Sequence, residues 1–199
     1  MPDLSVTPSP LKLLAAWLEE ARAAKSHDPD AMVLATATPQ GAPSSRVVFC
    51  RGLDESGVRF FTNYESRKGK ELAANERAAA LFFWPVLHRQ ARLEGVVEKL
   101  AAAESDAYFA QRPRGNQLGA WASAQSHAIE SLDVVRARHA ELARTWHGQE
   151  VPRPPFWGGY RLVPSTVELW QEGEHRLHTR RSFKRDGKAS VWIETLLAP

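Results

Sequence analysis

Residues 89–99 read R-Q-A-R-L-E-G-V-V-E-K. Ala91, Leu93 and Val97 share one parity, and Gln90, Arg92, Glu94 and Glu98 share the other. Side chains alternate between the two faces of a strand, so this segment is expected to bury one face and show the other to water. A one-sided strand suits an antiparallel sheet or barrel. Upstream, Ala78–Trp84 is a second apolar strand, broken by Pro85. Before it come A-M-V-L-A-T-A-T (31–38), S-R-V-V-F-C-R (45–51) and V-R-F-F-T (58–62), separated by turns at 39–41 and 54–57. Such short connections make a β-meander the economical reading of these three strands.

The flanks read as follows. Residues 1–9 form a loose arm. Ser9 then caps a helix with Pro10 at its first position and Leu11, Leu14, Leu18 and Ala21 on one stripe. Downstream, 101–111 reads as a helix stopped by Pro113. G-N-Q-L-G-A-W-A-S-A-Q-S (115–126) reads as a glycine- and amide-rich connector, of the kind that carries function. Ser131 caps a helix with Leu132, Val135, Leu142 and Trp146 on its stripe, closed by Gly148. After Pro152, Pro154 and Pro155, W-G-G-Y-R-L-V and T-V-E-L-W return to strand. A last hairpin pairs 181–185 with 188–196 across Asp186-Gly187. The expected class is mainly β with added helices, in one domain spanning 1–199.

Composition agrees. The 199 residues are 43% hydrophobic and 25% charged, enough for one real core. The net charge of +3 suits small phosphorylated ligands, and the cations fall in short clusters rather than the long run expected of a nucleic-acid binder. Cys50 stands alone in an apolar run, which excludes an intrachain disulfide and points to a buried thiol in a reducing compartment. The first ten residues, M-P-D-L-S-V-T-P-S-P, lack the basic and apolar regions of a signal peptide. No apolar run approaches the ~20 residues of a membrane span. A cytoplasmic protein with no membrane contact and no metal site is expected.

Two basic stretches stand out. In N-Y-E-S-R-K-G-K-E-L (63–72), Ser66 is a plausible cap, and Arg67 and Lys68 open a short helix. Cations there oppose the helix dipole and ask for an anion, so the stretch is either a phosphate cradle or a helix start that merely happens to be basic. In W-Q-E-G-E-H-R-L-H-T-R (170–180), Arg176, His178 and Arg180 recur at every second position. An extended strand would set all three on one face, beside Trp170. Either this ladder meets a flat anionic ligand or it is a solvated basic edge strand.

R-V-V-F-C-R (46–51), F-F-T-N-Y-E-S-R-K (60–68), Y-F-A-Q-R-P-R-G-N-Q-L-G-A-W-A-S-A-Q-S (108–126) and W-Q-E-G-E-H-R-L-H-T-R (170–180) together resemble the pyridoxamine 5′-phosphate oxidase family. The resemblance runs from about Ala31 to the final L-A-P. It implies an FMN-binding split β-barrel, acting as a homodimer with flavin at the subunit interface. It also implies FMN-dependent oxidation of pyridoxamine or pyridoxine 5′-phosphate to pyridoxal 5′-phosphate, with dioxygen as acceptor and peroxide as product. Carried over by position, FMN contacts would come from Arg46, Val47, Val48, Phe49, Arg51, Phe61, Thr62, Arg67, Lys68 and Gln90. Gln125, Ser126, Trp170 and Arg180 would complete that site from the other subunit. Arg51, Tyr108, Arg112 and Asn116 would hold the substrate phosphate, and Arg176 and His178 would face the pyridine ring as the catalytic pair.

The chain departs from the family pattern in several places. Arg51 stands for the usual Lys, Phe61 for Tyr, and Asn116 for Ser. Glu172 turns W-Q-G-G into W-Q-E-G, and Leu196 replaces a basic residue before L-A-P. The arm is short and lacks an arginine-rich stretch. Two other functions stay open: a same-fold oxidase of another reduced aromatic of phenazine type, and a non-catalytic carrier of flavin or pyridoxal phosphate.

Overall fold

The computed structural model describes residues 9–187 and 191–199. Residues 1–8 of the expected arm and 188–190 of the last hairpin lie outside the described residues. Along the chain come α1 (Pro10–Ala23), β1 (Ala31–Ala37), β2 (Pro43–Phe49), β3 (Leu53–Asp54), β4 (Gly57–Asn63), α2 (Arg67–Ala74), β5 (Arg77–Trp84) and β6 (Arg89–Lys99). Then follow α3 (Ala102–Ala110), α4 (Arg114–Ala122), α5 (Leu132–Thr145), β7 (Trp157–Gln171), β8 (Thr179–Lys184) and β9 (Ile193–Leu196). All strand pairs are antiparallel, in the order β2-β1-β5-β6-β7-β4-β3, with β8 on β7 and β9 on β8. The hydrogen-bonded path does not close, so the barrel is split. Among the described residues, no helix is long and apolar enough to cross a membrane.

β6 alternates as its sequence requires, burying Ala91, Leu93 and Val97. Its partner β7 does so only with a correction. Glu94 pairs with Thr166, but Gly95 pairs with Pro164, so Ser165 is skipped as a bulge. The extra residue inverts the parity of β7. Tyr160 and Leu162 before it, and Val167 and Leu169 after it, therefore all reach the same core. The bulge presses its backbone onto β6. A Cβ on Gly95 would lie 2.1 Å from the Val163 carbonyl oxygen, which is why glycine stands there. The two separate strands expected at 157–163 and 166–170 are thus one bulged strand.

Three other expectations are corrected. The meander does not form, because β4 pairs with β7 and β3, not with β2. β4 buries Val58, Phe60, Thr62 and Asn63, and so takes an interior place that an exposed edge beside β2 could not give. Residues 50–52 make the crossing, with Cys50 N donating to Asp30 O and a reciprocal backbone pair joining Arg51 and Gly52 to Arg59. Second, the connector at 115–126 is largely helix α4. Leu118 and Ala122 are buried, and Gln117 Nε2 donates to the Phe109 and Ala110 carbonyls left open at the end of α3. Third, Ser131 occupies the cap position of α5 without a side-chain hydrogen bond. α1 is as expected: Ser9 Oγ accepts from Leu11 N and Pro10 opens the helix.

One apolar cluster joins the α1 stripe of Leu11, Leu14, Leu18 and Ala21 to inward strand residues such as Phe60, Phe82, Leu93 and Leu162. Cys50 is buried in it. A second, smaller cluster of Phe109, Leu118, Val151 and Trp157 fixes the helical cap against the outside of the sheet. Between cap and sheet lies the cleft described next.

Candidate active site

The cleft has a volume of about 880 Å³. Of the residues expected in the site, Val47, Val48, Phe49, Arg51, Phe61, Thr62, Lys68, Tyr108, Arg112, Asn116 and Gln125 line it. They come from β2, β4, α2 and the α3–α4 region, so the fold gathers the first three motif stretches. Gln125, expected from the other subunit, lines the cleft of its own chain. Ser126, Arg46, Arg67, Gln90, Trp170, Arg176, His178 and Arg180 do not line it.

The start of α2 shows why Arg67 and Lys68 differ. Ser66 Oγ accepts from Gly69 N at 3.3 Å and donates to Asn63 O at 2.7 Å, which turns the chain from β4 into the helix. Arg67 points outward, with a side chain 63% exposed, and its Nε donates to Glu71 Oε1 at 2.8 Å. Lys68 is 8% exposed. Its Nζ lies 2.9 Å from Gln125 Oε1 and 3.1 Å from Thr62 Oγ1, both neutral acceptors. Burial pushes its pKa down, and Arg46's charge pushes the same way. Among the described residues no carboxylate pairs with it.

Glu71 anchors the other cations. It is buried and accepts from Ser44 Oγ at 2.6 Å, from Thr36 Oγ1, from Arg67 and from Arg46 Nη2 at 3.3 Å. Burial pushes its carboxyl up, but hydrogen bonds from Ser44, Thr36 and Arg67, with Arg67's charge, outweigh that and lower its pKa to about 2. Arg46 is committed to this network, donating also to Thr36 Oγ1 at 2.6 Å and Leu34 O at 3.2 Å. Glu71 was not foreseen. Its signal in the sequence is the Arg67–Glu71 spacing of one helical turn.

A second, half-buried cation lines the same cleft. The Arg112 guanidinium carbon sits 4.6 Å from the Trp157 ring centroid, and Nη1 is buried with no hydrogen-bond partner. Its pKa is lowered, chiefly by burial, with Tyr108 opposing the shift and Arg51 adding to it. Among the described residues no carboxylate pairs with it. Phe61 stacks on Tyr108 at 3.8 Å and 12°, and both rings lie nearly parallel to Trp157. A Tyr at 61 would add a hydroxyl at the rim of this stack; Phe61 contributes only its face. Trp157, a wall the motifs did not reveal, was legible only as an indole beside Gly158-Gly159.

The last motif forms a separate row. Phe83 pairs with Gln90, Gln90 with Trp170, and Trp170 with Arg180, which places four side chains on one face across β5, β6, β7 and β8. Buried Glu168 holds Arg180 through Nε at 2.8 Å and Arg92 through Nη1 at 3.3 Å. The expected extended ladder is corrected here. Glu174–Arg176 forms a 3-10 turn, with His175 at φ +52° and Arg176 at φ +64°. Only Arg180 lies on a strand. Gly173 permits the close fold-back, and hydrogen bonds inside the loop replace those of a ladder. Arg176 is left exposed, and the His178 ring lies 4.7 Å from Trp170. Counting strand spacings of ~4.8 Å, Trp170 stands roughly 19 Å along the sheet from β2 and Arg180 roughly 24 Å.

The cleft fits an anionic, flat, partly apolar guest: buried Lys68 and half-buried Arg112 lack anionic partners among the described residues, and Val47, Phe49 and three stacked rings supply flat apolar surface. Residues 18–146 match the family model described as pyridoxamine 5′-phosphate oxidase, and residues 157–199 match the pyridoxine 5′-phosphate oxidase C-terminal dimerisation region. A pyridoxine/pyridoxamine 5′-phosphate oxidase of Rubrobacter xylanophilus is 52% identical over 192 residues, covering 96% of this chain and 88% of that one. One from Cupriavidus metallidurans is 49% identical, covering 99% and 92%. Among solved structures, PhzG from Burkholderia lata, in complex with tetrahydrophenazine-1-carboxylic acid, superposes with a TM-score of 0.91 at 37% identity, covering 100% of this chain and 97% of that one.

Proposed function

This chain belongs to the pyridoxamine 5′-phosphate oxidase family, an oxidoreductase family, and from that premise we propose that it is an FMN-dependent oxidase of pyridoxamine and pyridoxine 5′-phosphates. The observation that carries the reading is a pair of cations in one cleft, Lys68 buried and Arg112 half-buried, with no carboxylate partner among the described residues. Two phosphorylated ligands bound together, cofactor and substrate, would answer both charges.

On this reading Lys68 and Thr62 hold the cofactor phosphate at the start of α2, with Arg46 and Arg67 held nearby by Glu71. FMN, when bound, would supply the two-electron oxidation of the substrate's C4′ carbon, with dioxygen as the final acceptor and peroxide as its product. Arg112 takes the substrate phosphate, with Arg51, Tyr108 and Asn116 around it. That anchor is remote from C4′, so its binding energy aligns the ring. The stacked faces of Phe61, Tyr108 and Trp157 help to exclude water. Gln90, Trp170 and Arg180 do not line the cleft of their own chain, so we assign them to the site of a second subunit. A match to a dimerisation region over 157–199 supports that homodimer. Arg176 and His178 ride on the same segment and would face the pyridine ring. Buried Cys50 suits the reducing cytoplasm.

The test is direct. Purified protein, FMN and pyridoxine 5′-phosphate are mixed in air, and peroxide and aldehyde are followed together. Equal yields of both support the reading, and ligand binding without turnover would leave only a carrier. A second reading, oxidation of a reduced phenazine-type acid, is favoured by the similarity to PhzG. A tricyclic reduced acid oxidised in place of the vitamer phosphate would select it.

A further inference from the structure

The loop from Gly173 to His178 closes on itself. Leu177 N donates to Glu174 O and His178 N to Arg176 O, each at 2.9 Å. A Cβ on Gly173 would lie 2.1 Å from Leu177 O, so only glycine lets the two ends approach this closely. Closure aims the Gly173 N–H at His178 Nδ1, 3.3 Å away. A backbone N–H only donates, so Nδ1 must accept. Turning the ring over would set a carbon against that N–H and leave it unpaired. Trp170 packs against the imidazole at 4.7 Å and 43°, which limits its swing. The base of the loop is clasped as well: Glu172 N donates to His88 O at 3.0 Å, and its carboxylate meets His88 Nδ1. Glu172 stands where the family pattern has glycine, so the carboxylate half of the clasp is a feature of this chain.

We propose that His178 is held as the Nε2–H tautomer and donates a hydrogen bond through Nε2 to an acceptor atom of the substrate, and that it is not the base that removes a substrate proton. The proposal deepens the reading above and rests on it for the claim that His178 faces substrate. In the neutral ring neither nitrogen offers a free lone pair. That of Nδ1 is committed to Gly173 N–H, and Nε2 carries the proton. A general base needs a lone pair within reach of the proton it takes, and this ring presents a donor there instead.

The first arm of the test reads the tautomer itself. The FMN-loaded protein is labelled with ¹⁵N-histidine and studied by NMR at a pH where the ring is neutral, with His178 assigned by the signal missing from His178→Gln. Nδ1 is expected to resonate as the unprotonated nitrogen and Nε2 as the protonated one; the reverse overturns the proposal. The second arm measures anaerobic flavin reduction by saturating pyridoxine 5′-phosphate. A glutamine amide N–H can stand in for Nε2–H but cannot act as a base. His178→Gln should therefore stay within about 10-fold of the parent, and His178→Asn and His178→Ala should be about 10- to 100-fold slower. Glutamine as slow as alanine overturns donation, and so do parental rates in all three. A parent that reduces no flavin with this substrate refutes the oxidase reading and the substrate half of this proposal, while the tautomer stands or falls by its NMR signal.

Discussion

Lys68 and Arg67 are chain neighbours in opposite circumstances, and the difference sets what each substitution does. Lys68 is buried among neutral acceptors, whereas Arg67 is exposed and already paired with Glu71. Lys68→Ala should weaken FMN by about 10- to 100-fold, the worth of one charge-assisted contact, and riboflavin far less. Arg67→Ala should change FMN affinity by less than Lys68→Ala. Flavin fluorescence titration checks both, and equal losses for FMN and riboflavin would remove the phosphate assignment. At the other cation, Arg112→Ala should raise KM for the vitamer phosphate by about 10- to 100-fold, with a smaller loss of kcat from poorer alignment. Glu71 adds a pH dependence. Its folded pKa of about 2 lies below the ordinary value of 4.5, so its contribution to stability is fully present above 4.5. The contribution is lost as pH falls from 4.5 towards 2. Urea melts across that window should show the loss in the parent and a flatter profile in Glu71→Gln, which should be less stable than the parent at pH 7. A parallel pair of profiles would contradict the assignment.

At the scale of elements, the β6–β7 pair depends on Gly95. Gly95→Ala would drive a methyl into the Val163 carbonyl, and should cost about 1–3 kcal/mol in a urea melt, without changing the fold. A neutral Gly95→Ala would mean that the bulge relaxes freely. Elements of this sort were legible in the sequence when their reasons were local. The alternation of 89–99 and the Leu11, Leu14, Leu18 stripe of α1 each carry their own period, and Ser9-Pro10 its own cap. Others were not legible, because their reasons lie elsewhere in the chain. β4 looked like the third strand of a meander, and only its pairing with β7, far along the chain, gives it an interior place. α4 looked like a connector because Gln117 reads as polar. Its amide in fact closes the end of α3. The site divides the same way. The resemblance carried by the motifs marked Lys68, Arg112 and much of the cleft lining, though not Trp157, and nothing local told that Arg176 sits on a tight turn or that Glu168 holds Arg180 and Arg92.

For the whole molecule, the proposed function requires that the cleft and the Gln90–Trp170–Arg180 row serve one ligand. Two chains would unite them, and mixed dimers give the test. Lys68→Ala chains and Trp170→Ala chains should each bind FMN poorly alone. A mixed dimer would collect both lesions in one site and leave the other intact, so it should recover about one tight FMN per dimer. No recovery would place cleft and row in separate roles. The width of the sheet then carries a consequence in mass action. A guest that needs groups from two chains stabilises their association by as much as association strengthens its hold on the guest. Flavin should therefore lower the concentration at which the pair falls apart, and dilution should release flavin and subunits together.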